Sequence, residues 1–249
     1  MLDKTSEYLK MAEVETEFWW YKALHYRIVK EIKKNFSDRK DISILDSGCG
    51  TGGLMLYLRK RNYSSITGFD LSPLALDFCR KKDLNVTLED VYCYRENNTG
   101  KTYDVIISSD ILCYIELDKH DKIIYDLYEM LNPGGILLIN LPAFNIFKGE
   151  HDIAVGLLRR YNLSVVKRLF KPYQSKIYCW PFLLSPLIMT GRIIQKIKLL
   201  FTKSPGVKSD VDIPHHFLNS LFYRICKLES DFLPYLNWGS SIFIRIKKA

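Results

Sequence analysis

No apolar run in this chain of 249 residues is long enough to cross a bilayer. The longest uncharged stretch of its apolar region, Ile177 to Gly191, is fifteen residues, and Pro181 and Pro186 interrupt it; a spanning helix needs about 20 apolar residues. The six cysteines, at 49, 79, 93, 113, 179 and 226, form no CxxC pair, and the five histidines, at 25, 120, 151, 215 and 216, form no HExxH. No metal site is therefore expected, and the scattered cysteines do not read as a disulfide framework. The expectation is a reduced, cytoplasmic chain. The opening MLDKTSEYLKMAEVE is charged and lacks the apolar stretch of a signal peptide. There is no fixed-period repeat and no low-complexity tract. A composition 47% hydrophobic and 26% charged fits a folded globule and excludes a disordered or collagen-like chain. Its length suits one domain with an elaboration.

Positive charge is concentrated late. Between Lys148 and Lys208 twelve Lys or Arg stand against two acids, Glu150 and Asp152, while the whole chain carries a net +8. Such a surface points to a phosphorylated substrate, a membrane or nucleic acid, or is a solvated face with no partner.

The pattern along the chain alternates strand and helix. Residues 5–36 read as helical, with Trp20, Leu24, Ile28 and Ile32 every fourth position. Asp41 to Asp46 is a buried-strand signal ending in a glycine-rich turn, followed by a helix over Leu54–Lys60. Further strands fall at Ile66–Asp70, Asn85–Glu89, Tyr103–Ser109 and Ile136–Leu141. Helices fall at Pro73–Lys81, with Ser72 as N-cap, and at Asp121–Leu131, which stops at a turn, Asn132-Pro133-Gly134-Gly135. Near-continuous apolar strands alternating with helices predict a parallel sheet covered on both faces. A short helix over Ser164–Leu169, a strand over Ser175–Trp180 and a closing strand over Ser240–Ile246 follow. Before the last strand, Met189, Ile193, Ile194, Ile197, Leu200 and Phe201 share one helical face, with Arg192, Lys196 and Lys203 opposite. This basic amphipathic helix lies on an anionic membrane surface through 187–203, or packs on its own domain.

The sharpest local signal is Ile44-Leu45-Asp46-Ser47-Gly48-Cys49-Gly50-Thr51-Gly52-Gly53. Glycines let a backbone approach a ligand closely, and the following helix start offers free N–H groups. The spacing is GxGxG and lacks the dinucleotide GxGxxG order, and the P-loop Lys-Ser/Thr pair is absent.

This stretch resembles the first motif of class I S-adenosyl-L-methionine (SAM) methyltransferases, close to LDxGCGTG. Gly68-Phe69-Asp70-Leu71-Ser72-Pro73 resembles the next motif, Glu89-Asp90-Val91 the one after strand three, and Asp104-Val105-Ile106 with Asp110-Ile111-Leu112-Cys113-Tyr114-Ile115 the strand-four region. Asn132-Pro133-Gly134-Gly135 resembles the turn before strand five. The resemblance covers residues 41–141. It implies an α/β, Rossmann-like class I methyltransferase fold: a seven-stranded, mostly parallel sheet with the last strand antiparallel, helices on both faces and a helical insertion before the last strand. It implies SAM as cofactor, held by Asp46, Gly48, Cys49, Gly50 and Gly52, with Asp70 on the ribose, Leu71 against the adenine, Asp90 and Val91 near its amino group, and Asp110 and Trp20 also at the pocket. A carboxylate accepting two hydrogen bonds from a vicinal diol suits Asp70. Glu17-Phe18-Trp19-Trp20-Tyr21, Gly149-Glu150-His151-Asp152 and Arg159-Arg160-Tyr161 resemble a bacterial subgroup of type 11 methyltransferases, associated with glycan or lipid-linked glycan assembly. Many of its members carry Glu-His where this chain has Cys113-Tyr114.

Methyl transfer from a sulfonium asks mainly for alignment, and for removal of a proton from an O or N acceptor. Tyr114 and His151 are the catalytic candidates: a phenol to orient an acceptor or a packed aromatic, and a base near its ordinary pKa of about 6.5 or a loop-stabilising histidine. Arg159, Arg160 and Tyr161 are candidates to hold an anionic acceptor; a surface salt bridge is the competing reading for the arginines. The expected organisation is a single domain over 1–249: a helical cap (1–36), a SAM-binding core (41–141), a lid or acceptor segment (142–174), a helical insertion (181–236) and a closing strand (240–246). The acceptor is expected to be a small-molecule or lipid-linked glycan, with an anionic membrane surface as partner, peripheral placement at the inner face of the membrane, and a homodimer left open. A nucleic-acid methyltransferase is the alternative that the basic pI raises, but no (N/D)PP(Y/W) tetrad follows strand four, so no nucleic acid is expected. A non-catalytic protein of this fold, binding through its basic helix, is the third.

Overall fold

The computed structural model describes residues 4–201, 212–233 and 235–249. Helices α1 (Lys4–Val14) and α2 (Trp19–Phe36) lead into β1 (Ile44–Ser47), α3 (Gly53–Arg59), β2 (Ile66–Asp70), α4 (Pro73–Arg80), β3 (Val86–Leu88), α5 (Tyr94–Asn97) and β4 (Tyr103–Ser109). Then come α6 (His120–Glu129), β5 (Leu131–Pro142), α7 (Glu150–Ala154), α8 (Leu163–Leu169), β6 (Ser175–Trp180), α9 (Ser185–Phe201), α10 (His216–Phe232) and β7 (Ser241–Lys247). The strands form one seven-stranded sheet, order β3-β2-β1-β4-β5-β7-β6. β1 to β5 pair in parallel, and β7 runs antiparallel between β5 and β6.

Strand alternation divides the core into two halves. On one face Ile106, Leu137, Ile139, Ile242 and Ile244 pack against α6 and α8 through Ile123, Leu127, Val166 and Phe170. On the other, Val105, Ile107, Ile136, Leu138 and Phe243 pack against α2, α3 and α10 through Leu24, Ile28, Leu58 and Cys226. These are the near-continuous apolar strands that a sheet covered on both sides requires.

Two expected elements change. The single helix over 5–36 is two, broken at residues 15–18. The break is held from far away: the amide of Asn219 on α10 accepts from the Trp19 N–H at 2.8 Å and donates to the Glu17 carbonyl at 2.7 Å. Phe18, at the N-cap of α2, makes no capping bond of its own, so Asn219 satisfies a helix start that the local sequence leaves open. The Asn132–Gly135 turn is absorbed into β5, because Leu131 already pairs with Tyr103 before a register shift. Gly134 takes φ 75° there, and the Asn132 amide donates to the Asp104 carboxylate at 2.9 Å. Ser72 does cap α4, accepting from the Ala75 N–H at 3.3 Å.

The apolar face of α9 does not pack on its own domain along its middle. Ile193, Ile194 and Ile197 are exposed, while Arg192, expected on the opposite, basic face, is half-buried. Lys203 and the side chains of Leu200 and Phe201 lie outside the described residues. No helix among the described residues is long and apolar enough to cross a membrane.

Asn219→Leu is expected to cost about 2–3 kcal/mol, since it strands a buried N–H and a carbonyl. Urea unfolding measures this; an unchanged midpoint would mean that α2 starts without that bond.

Candidate functional site

The carboxyl ends of β1, β2 and β4 meet below α1 and the start of α2, around a cavity of about 670 Å³. Three glycines turn the chain out of β1, each with positive φ: Gly48 (69°), Gly50 (52°) and Gly52 (88°). A Cβ on Gly48 would meet the Ile111 side chain at 2.4 Å, and one on Gly50 would meet the Met11 sulfur at 3.1 Å. The loop is therefore tightly covered, and an L side chain is disfavoured there on two counts.

Asp70, at the end of β2, ties this loop to the next. Its carboxylate accepts from the Gly50 N–H at 2.9 Å and from the Ser72 N–H at 2.9 Å. Each oxygen keeps a further acceptor position. Asp46 and Glu15 are buried beside it. Burial, then Asp70 and Glu15, push the Asp46 carboxyl up to about 8. Burial raises Asp70 as well. Glu15 is held by Lys82, whose ammonium also bonds the Thr51 carbonyl at 2.7 Å. This end of the cavity concentrates carboxylates with few cations near them.

Asp110 stands after β4 at φ 55°, an uncommon conformation for a residue with a side chain. The Asn140 amide donates to both its oxygens at 3.1 Å, and the Asn140 oxygen accepts from the Trp180 indole at 2.9 Å. Burial pushes Asp110 up to about 7, against the opposing effect of Asn140. Trp20 stacks on Trp180, centroids 5.4 Å apart.

The cavity wall brings together Asp46, Gly48, Cys49, Gly50, Asp70 and Leu71 with Asp90, Val91 and Asp110. Trp20, Tyr114, His151 and Arg160 reach it from the other side. Leu71 is 67% exposed, presenting an apolar surface at the edge of the cavity. Tyr114 is 45% exposed where it lines the cavity. Asp90 also closes its own turn, accepting from the Tyr92 N–H at 3.0 Å.

Three nominated residues lie elsewhere. Gly52 is the N-cap of α3, and a Cβ on it would face Leu84 and Cys79, outside the cavity. Arg159 pairs with Glu116 at 3.2 Å. Tyr161 is buried, its hydroxyl on His120 Nε2 at 2.7 Å. The reason is extended backbone: Tyr161 bridges Ala143 alongside the end of β5, and neighbours along such a segment point to opposite sides. Arg160 alone therefore turns to the cavity, and there it is engaged by the protein. It grips Asp152 through Nε at 2.7 Å and Nη2 at 2.9 Å, and its Nη1 bonds the Ala143 and Ser240 carbonyls. The arrangement makes Arg160 a clamp on the segment after β5.

Several lining residues were not nominated from the sequence: Tyr8, Met11 and Glu15 on and just after α1, and Tyr21 and His25 on α2. The signal was present, because 8, 11 and 15 share one helical face that mixes an aromatic, a sulfur and an acid. Burial and Arg61 lower His25 to about 3, so it is a neutral imidazole. Phe147, Ile188 and Arg192 line the far end, beside His151. Among the described residues no group of three or more His, Cys, Asp or Glu side chains is arranged to hold a metal ion.

A parallel sheet with a glycine turn after its first strand and a carboxylate one strand over defines a Rossmann-like protein built to hold a nucleoside-bearing ligand. A family model described as a methyltransferase domain matches residues 44–135. The chain is 32% identical over 146 residues to phosphoethanolamine N-methyltransferase 3 of Arabidopsis thaliana, covering 55% of this chain and 29% of that one. It is 22% identical over 206 residues to demethylmenaquinone methyltransferase of Chlorobaculum parvum, covering 82% of each. The fold superposes on the plantazolicin methyltransferase BpumL, solved in complex with SAH, with TM-score 0.62 at 17% identity, covering 99% of this chain and 91% of that one. Over residues 44–135 the chain is thus similar to SAM-dependent methyltransferases, and its fold is the Rossmann-like fold of that class. It spans between 29% and 49% of the length of the first curated relatives that it matches.

A carboxyl group with a raised pKa favours the folded state below its ordinary value near 4, and this contribution is lost as pH rises through the folded value. The ligand-free chain should therefore lose stability as pH rises toward about 8, where Asp46 ionises, with Asp110 adding the same sign near about 7. Asp46→Asn should flatten that slope. Thermal unfolding across this range measures it, and an unchanged slope in the variant would remove Asp46 as its source.

Proposed function

We propose that the chain is a SAM-dependent methyltransferase that delivers a methyl group to an O or N atom of a small-molecule acceptor, with a lipid-linked or glycan acceptor as the narrower reading. The observation that carries it is electrostatic: Glu15, Asp46 and Asp70 line the glycine-loop end of the cavity together, where burial first and the neighbouring carboxylates second push Asp46 up to about 8. SAM carries a sulfonium and an ammonium, and a cation is what such a cluster favours. When bound, SAM supplies an electrophilic methyl group on a good leaving group.

The chain's own residues do the rest. Gly48 and Gly50 bring backbone close to the amino-acid end, and the remaining acceptor positions of Asp70 take the ribose hydroxyls. Leu71 and Val91 offer apolar surface to the base, and Asp90 lies beside them. Tyr114 orients the acceptor oxygen or nitrogen, and His151 takes its proton. Trp20, Tyr21 and Phe147 keep water from the far end. Relatives named for phosphoethanolamine and demethylmenaquinone support a small-molecule acceptor. The exposed Ile193, Ile194 and Ile197 beside Lys196 support a peripheral place at an anionic membrane surface, where a lipid-linked acceptor would be met.

Two outcomes test this. Titration with SAM at neutral pH should release protons as Asp46 ionises beside the bound cation, measured by calorimetry in buffers of different ionisation heat. Asp46→Asn should lower the release, leaving the part due to Asp110, and Asp70→Ala should weaken SAM binding about tenfold to a hundredfold. Absence of SAM binding would overturn the reading. Labelled SAM incubated with fractionated cell extract should transfer its methyl label, and His151→Ala should lower the rate about a hundredfold at unchanged SAM affinity. Label confined to water-soluble products would remove the lipid-linked acceptor.

A further inference from the structure

The face of α2 turned away from the cavity belongs to a second depression. Trp20, Tyr21 and Leu24 line the cavity described above, whereas the opposite side of the helix lines a groove of about 640 Å³ shared with α10 and the segment after α2. Six cations surround this groove: Lys30, Lys33, Lys34, Lys40, Arg61 and Lys227. Three are paired, Lys30 with Asp231 at 2.8 Å, Lys33 with Asp38 at 3.4 Å and Lys34 with Glu31 at 2.7 Å. The others are held over tyrosine rings, and among the described residues none has a carboxylate within 4.0 Å. Lys40 lies 4.1 Å from the Tyr63 centroid, Arg61 3.3 Å from that of Tyr57, and Lys227 5.3 Å from that of Tyr26. A concave wall bearing excess positive charge focuses potential toward an anion.

The same helix carries a second, independent feature. α10 buries Cys226, Glu229 and Ser230 against the domain. Its opposite side presents Phe217, Leu221, Leu228 and Phe232 to solvent, Phe217 at 67% and Phe232 at 76% exposure. At about 100° per residue these four fall within an arc of about 60°. Arg224 lies at its edge, and Lys227 lies beyond Arg224, on the side of the groove. An apolar stripe along a whole helix, bordered on one side by Arg224 and Lys227 with Asp231 between them neutralised by Lys30, is the pattern of a helix lying in a membrane interface.

We propose that α10 docks this protein on a bilayer bearing anionic lipids. Phe217, Leu221, Leu228 and Phe232 enter the boundary between headgroups and acyl chains, and the Lys40–Arg61–Lys227 groove takes the headgroup phosphates. Charge decides for a bilayer over a second copy of the chain. A two-fold interface through α10 is built from the same patch twice, and so sets the excess cations of both copies along one seam. This surface is separate from the cavity and does not depend on methyl transfer.

The experiment is co-sedimentation of the full chain with vesicles of phosphatidylcholine alone or mixed with phosphatidylglycerol, with SAM titration as a separate readout of the fold and cavity. The chain should sediment with the mixed vesicles, less so at high salt, and remain in solution with phosphatidylcholine alone. Lys40→Glu and Lys227→Glu should each weaken partitioning about tenfold, and Leu221→Ser with Leu228→Ser should abolish it, all at unchanged SAM affinity. Failure to sediment with mixed vesicles, or equal binding to both kinds, would overturn the proposal. So would protection by inorganic phosphate without vesicle binding, or a dimer in sedimentation velocity that Leu228→Ser dissolves. If SAM binding fails while vesicle binding persists, the cavity assignment falls and this one stands.

Discussion

One carboxylate holds two loops in place. Asp70 receives the Gly50 and Ser72 N–H groups, and so joins the turn after β1 to the start of α4. It can do so only because β1 and β2 pair in parallel with Ser47 opposite Phe69, which brings both strand ends to the same edge. The bonds that fix Asp70 oppose the desolvation that raises it. Asp46 lacks such donors among its dominant influences and rises further. The fold thus maintains a group of like charges in a covered place, an arrangement that opposes ionisation until a cation arrives.

The later half of the chain is organised by polar contacts buried among apolar neighbours. Asn140, the one polar residue in the apolar run of β5, links Asp110 to Trp180, and Trp180 in turn stacks on Trp20. Arg160 and Asp152 form a two-pronged pair that also takes the carbonyls of Ala143 and Ser240. Glu229 on α10 accepts from the Phe182 and Leu183 N–H groups, fixing the entry to α9. The first two tie the segments beyond β5 back to the sheet and set Asp110, Asp152 and Arg160 in the cavity wall, and the third joins α10 to the start of α9. The helix α2 serves both sides of the molecule, one face on the cavity and the other on the basic groove.

Much of the architecture could be read along the chain. The runs Ile66–Asp70, Tyr103–Ser109 and Ser175–Trp180 are strands at the expected bounds, because short β-branched runs bounded by turn residues have few alternatives. Gly48, Gly50 and Asp70 reach one wall because strand ends in a parallel sheet share an edge. Arg159 and Tyr161 were less legible, since which of three consecutive side chains faces the cavity depends on the pairing of Tyr161 with Ala143. The part played by α1 was also hidden. A helix read as one piece from 5 to 36 has no reason to fold over Gly50, whereas a helix broken near Glu15 does.

Periodicity and motif spacing therefore determined the sheet, the glycine turn and the carboxylates at strand ends, because these follow from neighbours within a few residues. Only tertiary structure decided where the helix breaks, which arginine turns inward and which faces of α9 and α10 stay uncovered. The physical reason is range: the bond that starts α2 joins residues 200 positions apart, and no local pattern records a partner at that distance.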